Sequence, residues 1–327
     1  MNVTTKDIAK ICNVSRTTVN RAFNDSGRIS EETKKLILDT ARKLNYRPDL
    51  LATSLKSGRT KSIGVVVFDV KNRFFAQMLN AIEAKASENG YSVNISLHGK
   101  DKTKERDMLQ RLVDFRADGI ILSPVSKDDS FASFLKELGK PVVITGNRIA
   151  DDIPFVGIDE EKAAREAVRQ IAGKGYERIV FVCPPLADRE NENIYSHERR
   201  LNGFLAEIHE VSAESEVIET WDYLKQVKKI MLGDHSKTAF FCSGDIYALD
   251  IMKTLRAYKL SAGKDYGIMG FDNTDILDYV IPRLSTIDNE IEKVAERAVE
   301  VLLSLIEGKD ADYESVLPFQ VVEGETL

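Results

Sequence analysis

The chain is organised around residues 14–23, which read Val14-Ser15-Arg16-Thr17-Thr18-Val19-Asn20-Arg21-Ala22-Phe23. The serine can cap a helix, and the two valines, five residues apart, give that helix an apolar side. The two arginines, with a threonine and an asparagine between them, give it a polar and positively charged side. Taken alone, the stretch fits an amphipathic surface helix as well as a helix that enters the major groove of DNA.

Charge is divided unevenly along the chain. Residues 1–60 carry 12 Lys and Arg against 6 Asp and Glu, whereas residues 61–327 carry 34 against 46. A basic N-terminal segment therefore precedes an acidic remainder, and the overall net charge is −6. This asymmetry is expected when only the N-terminal segment meets a polyphosphate.

Length and composition predict a globular protein of two or three domains. Hydrophobic residues make up 43% of the 327 and charged residues 30%, which excludes disordered and fibrous classes. The three cysteines, Cys12, Cys183 and Cys242, form no CxxC pair and are expected to be buried, reduced thiols. No apolar run approaches the ~20 residues of a membrane span, and the N-terminus has no apolar signal core. We therefore expect a cytoplasmic protein.

Residues 4–23 predict two short helices joined by a tight turn. Thr4 can cap the first helix, with Asp7 three positions later completing a capping box. The apolar stripe of this helix is expected to consist of Ile8, Ala9 and Ile11. Asn13 stands where the chain must turn, and asparagine tolerates the left-handed conformation that such turns need. With Ser15 capping the next helix, the segment is a helix-turn-helix whose second helix enters the major groove.

A third helix and a short linker complete the N-terminal segment. The helix is expected over residues 30–45, with Ile37, Ala41 and Leu44 facing inward. The segment between Pro48 and Gly58 is too short to be a stable helix by itself. It either becomes a helix on DNA and wedges Leu55 between base pairs in the minor groove, or it is a plain linker whose leucines pack on the head.

From residue 61 onward, strands and helices alternate. Residues 63–68 form a continuous apolar run, typical of a strand buried on both faces. The alternation continues to a strand at 142–144, restarts at 155–159 and reaches a strand at 267–271. This order predicts two α/β lobes, each a parallel sheet flanked by helices, with a ligand cleft between them.

The candidate effector-binding residues lie where strands end or the next helices begin. They are Asp69, Phe74, Phe75, Ser123, Asn147, Arg200, Trp221, Asp245 and Asp272. Carboxylates and an arginine can fork hydrogen bonds to vicinal hydroxyls, and aromatic rings suit the apolar face of a sugar. We expect one of the two phenylalanines to line the cleft and the other to pack inside. Trp221 either stacks on the ligand or is partly buried in the core.

Several motifs together resemble the lactose-repressor (LacI/GalR) family of bacterial transcription regulators. They are Thr5-Lys6-Asp7-Ile8-Ala9-Lys10, Val14-Ser15, Thr18-Val19, Arg21, Ser30-Glu31-Glu32-Thr33, Asn45-Tyr46-Arg47-Pro48 and Leu51-Ala52 through Leu55. The resemblance extends over nearly the whole chain. It implies a small all-α helix-turn-helix head (1–47), a hinge helix or linker (48–60) and a periplasmic-binding-protein-like core (61–327) for effector binding and dimerisation. The implied lobes of this α/β core are lobe 1, about 61–158 and 289–318, and lobe 2, about 159–288 and 319–327.

The resemblance also implies roles for individual residues. The DNA-binding set is Thr5, Ser15, Arg16, Thr17, Thr18, Asn20, Arg21, Tyr46 and Leu55. Arg16 and Thr17 should read base edges, since arginine grips guanine bidentately, and Arg21 should contact a base or a phosphate. The other polar residues of the second helix should cap it or contact phosphate. In the core, Arg200 and Asp272 match the family's ligand positions best.

The chain departs from the family pattern at two positions in the head, where Asn20 would alter a DNA contact, and at three places in the core, which predict an altered pocket. The departures are Asn13 for a usual glycine, Asn20 for a usual serine, Asn72-Arg73 for a frequent Asn-Pro, Gly244-Asp245 for a usual Asn-Asp, and Gly146-Asn147-Arg148 in place of a frequent aspartate. Arg73 and Arg148 would permit an anionic ligand such as a sugar phosphate or a sugar acid. The alternative is that both arginines are solvated surface residues.

Together these features predict an effector-responsive transcription repressor that binds a palindromic operator as a homodimer, because two heads read two half-sites. No cofactor or metal is expected. The chain has no GxGxxG after its first strand, no GxxxxGK[ST] and no HExxH, and its four histidines lack metal-ligand spacing, so nothing supports an enzyme. The alternative, a solute-binding protein of a transport system, would need an export signal and would lack the basic head.

Overall fold

The structure is a computed structural model, and it describes residues 3–24, 27–46, 58–186, 192–233 and 236–327. The chain divides into two compact units, Met1–Thr60 and Lys61–Leu327. Each unit has its own hydrophobic core. Most of the predicted hinge, Leu55 included, lies outside the described residues.

The first unit contains three helices, α1 (Thr5–Ile11), α2 (Arg16–Asn24) and α3 (Glu31–Lys43). The predicted capping box is confirmed, since Thr4 Oγ1 accepts from the Asp7 amide and Asp7 Oδ2 accepts from the Thr4 amide at 2.9 Å. Asn13 has the predicted left-handed conformation, with φ of 53°. Ser15 Oγ accepts a hydrogen bond from the Thr18 amide at 3.1 Å and so caps α2. Local sequence signals therefore set both ends of the turn.

The core of the first unit is small. Its buried apolar residues are Ile8, Ala9, Cys12, Val19, Ala22, Ile37 and Ala41. Val14 and Leu44 pack against them and are half-buried. The prediction for Ile11 was wrong, because its side chain is 59% exposed. Cys12, four residues after Ile8, takes the inward position at the end of α1 instead.

The second unit contains two six-stranded sheets. The first sheet is fully parallel, and its spatial order is β11 (Glu314–Leu317), β5 (Phe155–Ile158), β4 (Val142–Thr145), β3 (Gly119–Leu122), β1 (Ser62–Val67), β2 (Ser92–Leu97). One face is covered by α4 (Arg73–Glu88) and α11 (Ile291–Ile306), the other by α5 (Lys102–Asp114) and α6 (Asp129–Glu137). This sheet and these four helices are the first lobe.

Burial on both faces explains the continuous apolar run of β1. Ile63, Val65 and Val67 pack with α4 and α11, while the intervening residues face α5 and α6. Gly64 is needed because a Cβ there would lie 2.5 Å from the Leu112 side chain of α5. The glycine thus lets α5 pack directly on the strand.

The second sheet has the order β12 (Gln320–Val322), β10 (Ser285–Asp288), β9 (Gly267–Asp272), β8 (Thr238–Cys242), β6 (Arg178–Cys183), β7 (Glu214–Glu219), with only β12 antiparallel. One face is covered by α7 (Glu160–Gly173) and α8 (Tyr195–Ile208), the other by α9 (Tyr223–Gly233) and α10 (Asp245–Arg256). A 3-10 helix, Asp275–Tyr279, follows β9. This sheet and its helices are the second lobe.

The chain passes between the lobes at three places, which lie between β5 and α7, between β10 and α11, and between β11 and β12. The short strands β10 and β11, of four residues each, were not among the predicted strands. The three cysteines are buried and unpaired, as predicted. Parallel order places the carboxyl ends of neighbouring strands side by side in each lobe, and the candidate site lies there.

Candidate functional site

Helix α2 presents a polar face outward. Arg16, Thr17 and Arg21 are exposed, whereas Val19 is fully buried in the core of the first unit. Helical spacing produces this separation, because the residues on either side of Val19 turn away from the core. The first turn of α2 carries no acidic residue, so the positive end of the helix is open to a phosphate.

Ser15 is also exposed but caps α2, and the other described candidates for DNA contact are half-buried. Ser15 and Thr18 bond to each other through their hydroxyl oxygens at 2.9 Å, which serves to cap α2. Asn20 is half-buried, as are Thr5 at the start of α1 and Tyr46, whose ring packs against an aromatic ring of α2. Arg16, Thr17 and Arg21 are therefore the exposed polar residues of the described part of α2.

A buried arginine, Arg200, lies at the carboxyl ends of the strands of the second lobe. Its Nε and Nη2 donate to the two carboxylate oxygens of Glu160 at 2.7 and 3.2 Å, and Nη1 donates to the carbonyl oxygen of Ser243 at 2.6 Å. The guanidinium carbon lies 3.6 Å from the centroid of the Phe271 ring. Only 7% of the Arg200 side chain and 8% of the Glu160 side chain are exposed. Charge and hydrogen bonding therefore hold the guanidinium rigidly in a region of low dielectric constant.

Close packing of α8 on α7 brings this pair together. A Cβ on Gly203 would lie 2.3 Å from the carbonyl oxygen of Glu161, so only glycine permits the two backbones to approach. Arg200, one turn earlier on α8, then reaches Glu160 at the start of α7. Glu160 was not predicted, because an acidic residue in the first turn of a helix is normally a favourable surface charge.

Asp272 ends β9 beside the arginine. Its Oδ1 lies 3.6 Å from Nη1 of Arg200 and accepts a hydrogen bond from Asn289 Nδ2 at 2.9 Å. The backbone of Asp272 has φ of 115°, a region that residues other than glycine rarely adopt. Burial raises the pKa of this carboxyl well above its usual value, and the charge of Arg200 offsets only part of the rise. Strain and a shifted pKa at one residue are typical of functional sites.

Three buried polar atoms around this pair have no hydrogen-bond partner among the described residues: His197 Nδ1, Ser243 Oγ and Asn289 Oδ1. His197 precedes Arg200 by one turn of α8, while Ser243 and Asn289 bond to Arg200 and Asp272 through their other atoms. Buried polar atoms are normally paired, so these positions suit the atoms of a ligand. His197 and Asn289 were not predicted, although the spacing of His197 from Arg200 places both on one helix face.

Asp245 is engaged inside the second lobe. Its Oδ2 accepts from the amide and the hydroxyl of Thr274 at 2.8 and 3.0 Å, and its Oδ1 accepts from the Thr286 hydroxyl at 2.7 Å. Burial raises the pKa of Asp245 to about 6, although these hydrogen bonds oppose the rise. The carboxylate therefore orders the ends of β9 and β10, which differs from the predicted contact with a ligand.

Asn147 bridges the two lobes. Its Nδ2 donates to the carbonyl oxygen of Asn193 at 2.7 Å, and its Oδ1 accepts from the Ser196 amide at 3.1 Å. In return, the amide of Asn193 donates to the carbonyl oxygen of Val125 at 2.8 Å and its Nδ2 donates to that of Arg148 at 3.0 Å. We call Asn147 and Asn193 the asparagine clamp. The side chain of Asn147, predicted to bind a ligand, is thus occupied by contacts between the lobes.

Two further predicted residues bond within the first lobe. Ser123 is buried, and its Oγ bonds to Thr145 Oγ1 at 2.9 Å. Asp69 Oδ1 accepts from the amides of Lys71 and Asn72 at 2.7 and 3.1 Å, which turns the chain into α4. Both side chains therefore stabilise the chain where a strand ends. Neither of these structural roles was predicted.

The predicted aromatic residues have mixed positions. Phe74 and Phe75 are both half-buried, and their rings pack edge to face with centroids 5.0 Å apart. Both rings pack against the core, and the expected division into one cleft ring and one core ring stays a prediction. Trp221 is 62% exposed, which rules out the core interpretation. The ammonium of Lys100, from the first lobe, lies 5.4 Å from the centroid of the indole. Trp221 therefore marks the mouth of the space between the lobes.

The two arginines considered for an anionic ligand are both paired. Arg73 Nε donates to Oδ1 of Asp275 in the second lobe at 2.9 Å, and its Nη2 bonds to Oδ2. Arg148 pairs with Glu314 at 2.6 Å and with Asp151 at 3.0 Å. Neither arginine is simply solvated. Because each already pairs with a carboxylate, both are poorly suited to bind an anionic ligand.

Neither a group of three or more potential metal ligands nor a helix long and apolar enough to cross a membrane occurs within the described ranges.

Three family profiles match the chain. The profile described as bacterial regulatory proteins, lacI family, matches residues 4–49, that of periplasmic binding proteins and sugar binding domain of LacI family matches residues 60–227, and that of the periplasmic binding protein-like domain matches residues 168–327. A helix-turn-helix head followed by a two-lobed core defines a bacterial transcription regulator that responds to a small molecule. The chain belongs to the LacI family, and the match of its head separates it from solute-binding proteins of transport systems.

Individual relatives and solved structures cover most or all of the chain. The Bacillus subtilis protein named probable HTH-type transcriptional repressor ExuR is 32% identical, over 96% of this chain and 95% of its own length. The Lac repressor dimer bound to operator and the anti-inducer ONPF has a similar fold, with a TM-score of 0.85 and 22% identity over 100% of this chain and 99% of that one. An Alkaliphilus metalliredigens protein described as a periplasmic binding protein/LacI transcriptional regulator and complexed with D-xylulofuranose is 30% identical, with a TM-score of 0.71 over 81% of this chain and 98% of that one.

Proposed function

We propose that this regulator is a cytoplasmic, homodimeric repressor of a palindromic operator, and that a sugar-like effector bound between the lobes at Arg200 and Asp272 controls its affinity for DNA. The head (1–47) reads the operator with Arg16 and Thr17. The hinge (48–60) connects it to the core (61–327).

The observation that carries the effector proposal is the group of unpaired polar atoms around Arg200. A guanidinium has five N–H groups, and three of them are used by Glu160 and Ser243. Nη1 of Arg200 lies 3.6 Å from Oδ1 of Asp272, and Asn289, which bonds to Asp272, has a buried Oδ1 without a partner among the described residues. Vicinal hydroxyls both donate and accept, so they satisfy donors and acceptors placed side by side. The complex of a 30% identical regulator with D-xylulofuranose supports the same ligand class.

An exposed apolar patch in the second lobe supports dimerisation. Ile246 is 46% exposed, Tyr279 84% and Ile281 87%. The bond between Asp245 and Thr274 places the start of α10 beside the segment that contains the other two residues. Exposed apolar patches mark interaction sites, and a second copy of the chain gives the twofold symmetry that a palindromic operator requires.

The dimer is tested by sedimentation of the full chain at micromolar concentration. Ile281→Arg should shift the wild-type dimer toward monomer, whereas Leu232→Arg, at another exposed apolar position on α9 (59% exposed), should leave it unchanged. A wild-type protein that is monomeric both with and without operator DNA would contradict the proposed dimer.

Movement of the lobes is the proposed link between effector and operator. Three contacts join the lobes, namely the asparagine clamp, the Arg73–Asp275 pair and the Lys100–Trp221 contact. A ligand that contacts both lobes shifts the population toward closure. Closure changes the spacing of the two hinges across the dimer and therefore changes the affinity of the two heads for the operator. Leu55→Ala should weaken operator binding, and unchanged affinity would exclude a role of Leu55 in the hinge.

Arg200→Lys tests the effector site. Lysine keeps the charge and loses the two-point fork to Glu160. Its matched control is Arg199→Lys on the same helix, where Arg199 pairs with Glu161 at 2.8 Å and is 43% exposed. Sugars are titrated into each full-length protein bound to a labelled operator selected from genomic DNA. We expect wild type and the control to change operator affinity with a sugar, and Arg200→Lys to bind DNA without responding. An equal response of both variants would place the effector elsewhere.

A further inference from the structure

We infer that the effector carries one oxyanion group, a carboxylate or a phosphate, that binds between Lys100 of the first lobe and His197 of the second lobe. The inference rests on the proposed effector site and narrows its ligand class. It assigns the charged end of the ligand to a different part of the cleft from the Arg200–Asp272 pair.

Lys100 is a cation at the junction of the lobes without a carboxylate partner. Its ammonium faces the indole of Trp221 across the mouth of the cleft, and it makes no ion pair with the residues that the structure describes. Arg73 and Arg148, by contrast, are each bonded to at least one carboxylate. An unpaired ammonium held over an aromatic ring at a ligand entrance is suited to attract an anion.

His197 supplies a hydrogen-bonding group on the opposite wall. Its Nδ1 is enclosed and has no partner. Burial and the positive charges of Arg200 and Lys100 lower the pKa of His197 to about 3, so the imidazole is neutral and can place its one N–H on Nδ1. Helix α8 also begins two residues earlier, at Tyr195, without a side-chain cap, and the positive end of the helix adds to the same field.

The two ends of the site have opposite character. At the inner end, the carboxylates of Glu160 and Asp272 surround Arg200 and would repel an anion. At the outer end, the ammonium of Lys100 and the neutral imidazole of His197 would stabilise an anion. A sugar acid or a sugar phosphate matches this arrangement, with its hydroxyls at Arg200 and its oxyanion at Lys100.

Matched ligand pairs test the inference on the full-length protein. We would titrate D-gluconate against D-glucitol, D-glucuronate against D-glucose, and D-glucose 6-phosphate as the phosphate arm, with calorimetry and the fluorescence of Trp221 as readouts. The variants are Lys100→Met and His197→Gln. Lys104→Met, which removes a 65% exposed lysine of the same segment, is the control for loss of surface charge.

We expect at least one acidic compound to bind about tenfold more tightly than its neutral partner, because the ammonium of Lys100 attracts its oxyanion and His197 can donate a hydrogen bond to it. Lys100→Met should remove that preference while leaving the neutral compound within about threefold, and His197→Gln should reduce the preference in part. A preference for carboxylate or for phosphate identifies the group. The inference is overturned if neutral sugars bind as tightly as acids, or if Lys100→Met and Lys104→Met act alike, and in both cases the proposed sugar-responsive function stands. Absence of binding by all five compounds to the wild type would count against the proposed function as well.

Discussion

Nε of Arg200 and Oε2 of Glu160 lie 2.7 Å apart where α8 crosses the start of α7. Because both side chains are buried, removing the charge of Glu160 leaves the Arg200 guanidinium without its bonded carboxylate, and the more distant Asp272, at 3.6 Å, offsets only part of its charge. Glu160→Gln should therefore lower the free energy of unfolding by about 3–5 kcal/mol, measured by urea unfolding of the full chain. The control is Glu161→Gln, which removes the partner of the more exposed Arg199 and should cost less than about 1 kcal/mol. Equal losses of stability in the two variants would contradict a stabilising role of the buried Arg200–Glu160 pair.

Gly203→Ala should disturb the same crossing through the backbone. The added methyl group would lie 2.3 Å from the Glu161 carbonyl oxygen, so the helices must separate, at a cost of about 1–3 kcal/mol, and Arg200 must shift away from Glu160. Gly173→Ala, where a Cβ meets no atom within 4 Å, serves as the control and should be neutral or slightly stabilising. Thermal unfolding compares the two variants, and a loss of effector response in Gly203→Ala alone would confirm that the spacing of α7 and α8 positions Arg200.

Arg16→Ala should reduce sequence discrimination by the head. Arg16 is exposed at the first position of α2, and a bidentate contact to guanine is worth about 1–3 kcal/mol. Operator and non-operator duplexes are compared by fluorescence anisotropy at fixed salt. Arg42→Ala, an exposed arginine on α3 that pairs with Asp39, tests for simple loss of charge. A parallel weakening of both duplexes in Arg16→Ala would mean that Arg16 contacts phosphate instead of bases.

Asp245→Asn should change the dependence of stability on pH. The pKa of Asp245 is raised to about 6 in the folded chain, against about 3.9 in the unfolded chain. The folded state therefore binds this proton more tightly, so the contribution of Asp245 to stability is largest below about pH 4 and is lost as the pH rises to about 6. Relative to wild type, Asp245→Asn should gain about 2 kcal/mol in free energy of unfolding between pH 4.5 and pH 7.5.

Urea unfolding at those two pH values provides the measurement, and Asp222→Asn, at a 69% exposed carboxylate of the same lobe, is the control. A stability difference between Asp245→Asn and wild type that does not vary with pH would show that the carboxyl is already ionised in the folded chain throughout this range.

Features set by neighbours along the chain could be predicted from the sequence. The caps at Thr4 and Ser15, the turn at Asn13 and the alternation of strands and helices depend on local residue types and on periodicity. The Arg200–Glu160 pair could not, because the two residues are 40 positions apart and meet only through the close packing that Gly203 permits. Both residue types are also common on surfaces.

Position at a strand end did not distinguish the carboxylate that lies beside Arg200 from the one that is bonded inside the second lobe. Asp245 and Asp272 were predicted on the same ground. Gly270 separates them in the structure, because a Cβ there would lie 2.3 Å from Asp245 Oδ1, so the glycine leaves room for Asp245 to pack over the strand. Asn147 likewise has the right position for a ligand contact but bonds to the opposite lobe. Tertiary contacts of this kind leave no local signal.

Because the chain passes between the lobes three times, the order in which its parts can fold during synthesis on the ribosome is restricted. The sheet of the first lobe needs β11 at Glu314–Leu317, and that of the second needs β12 at Gln320–Val322. Neither lobe can complete its sheet until nearly all of the chain has been synthesised. The three-helix unit at the N-terminus, in contrast, depends only on contacts among residues translated first. A nascent chain thus gains a folded basic head long before it gains the lobes through which that head is regulated.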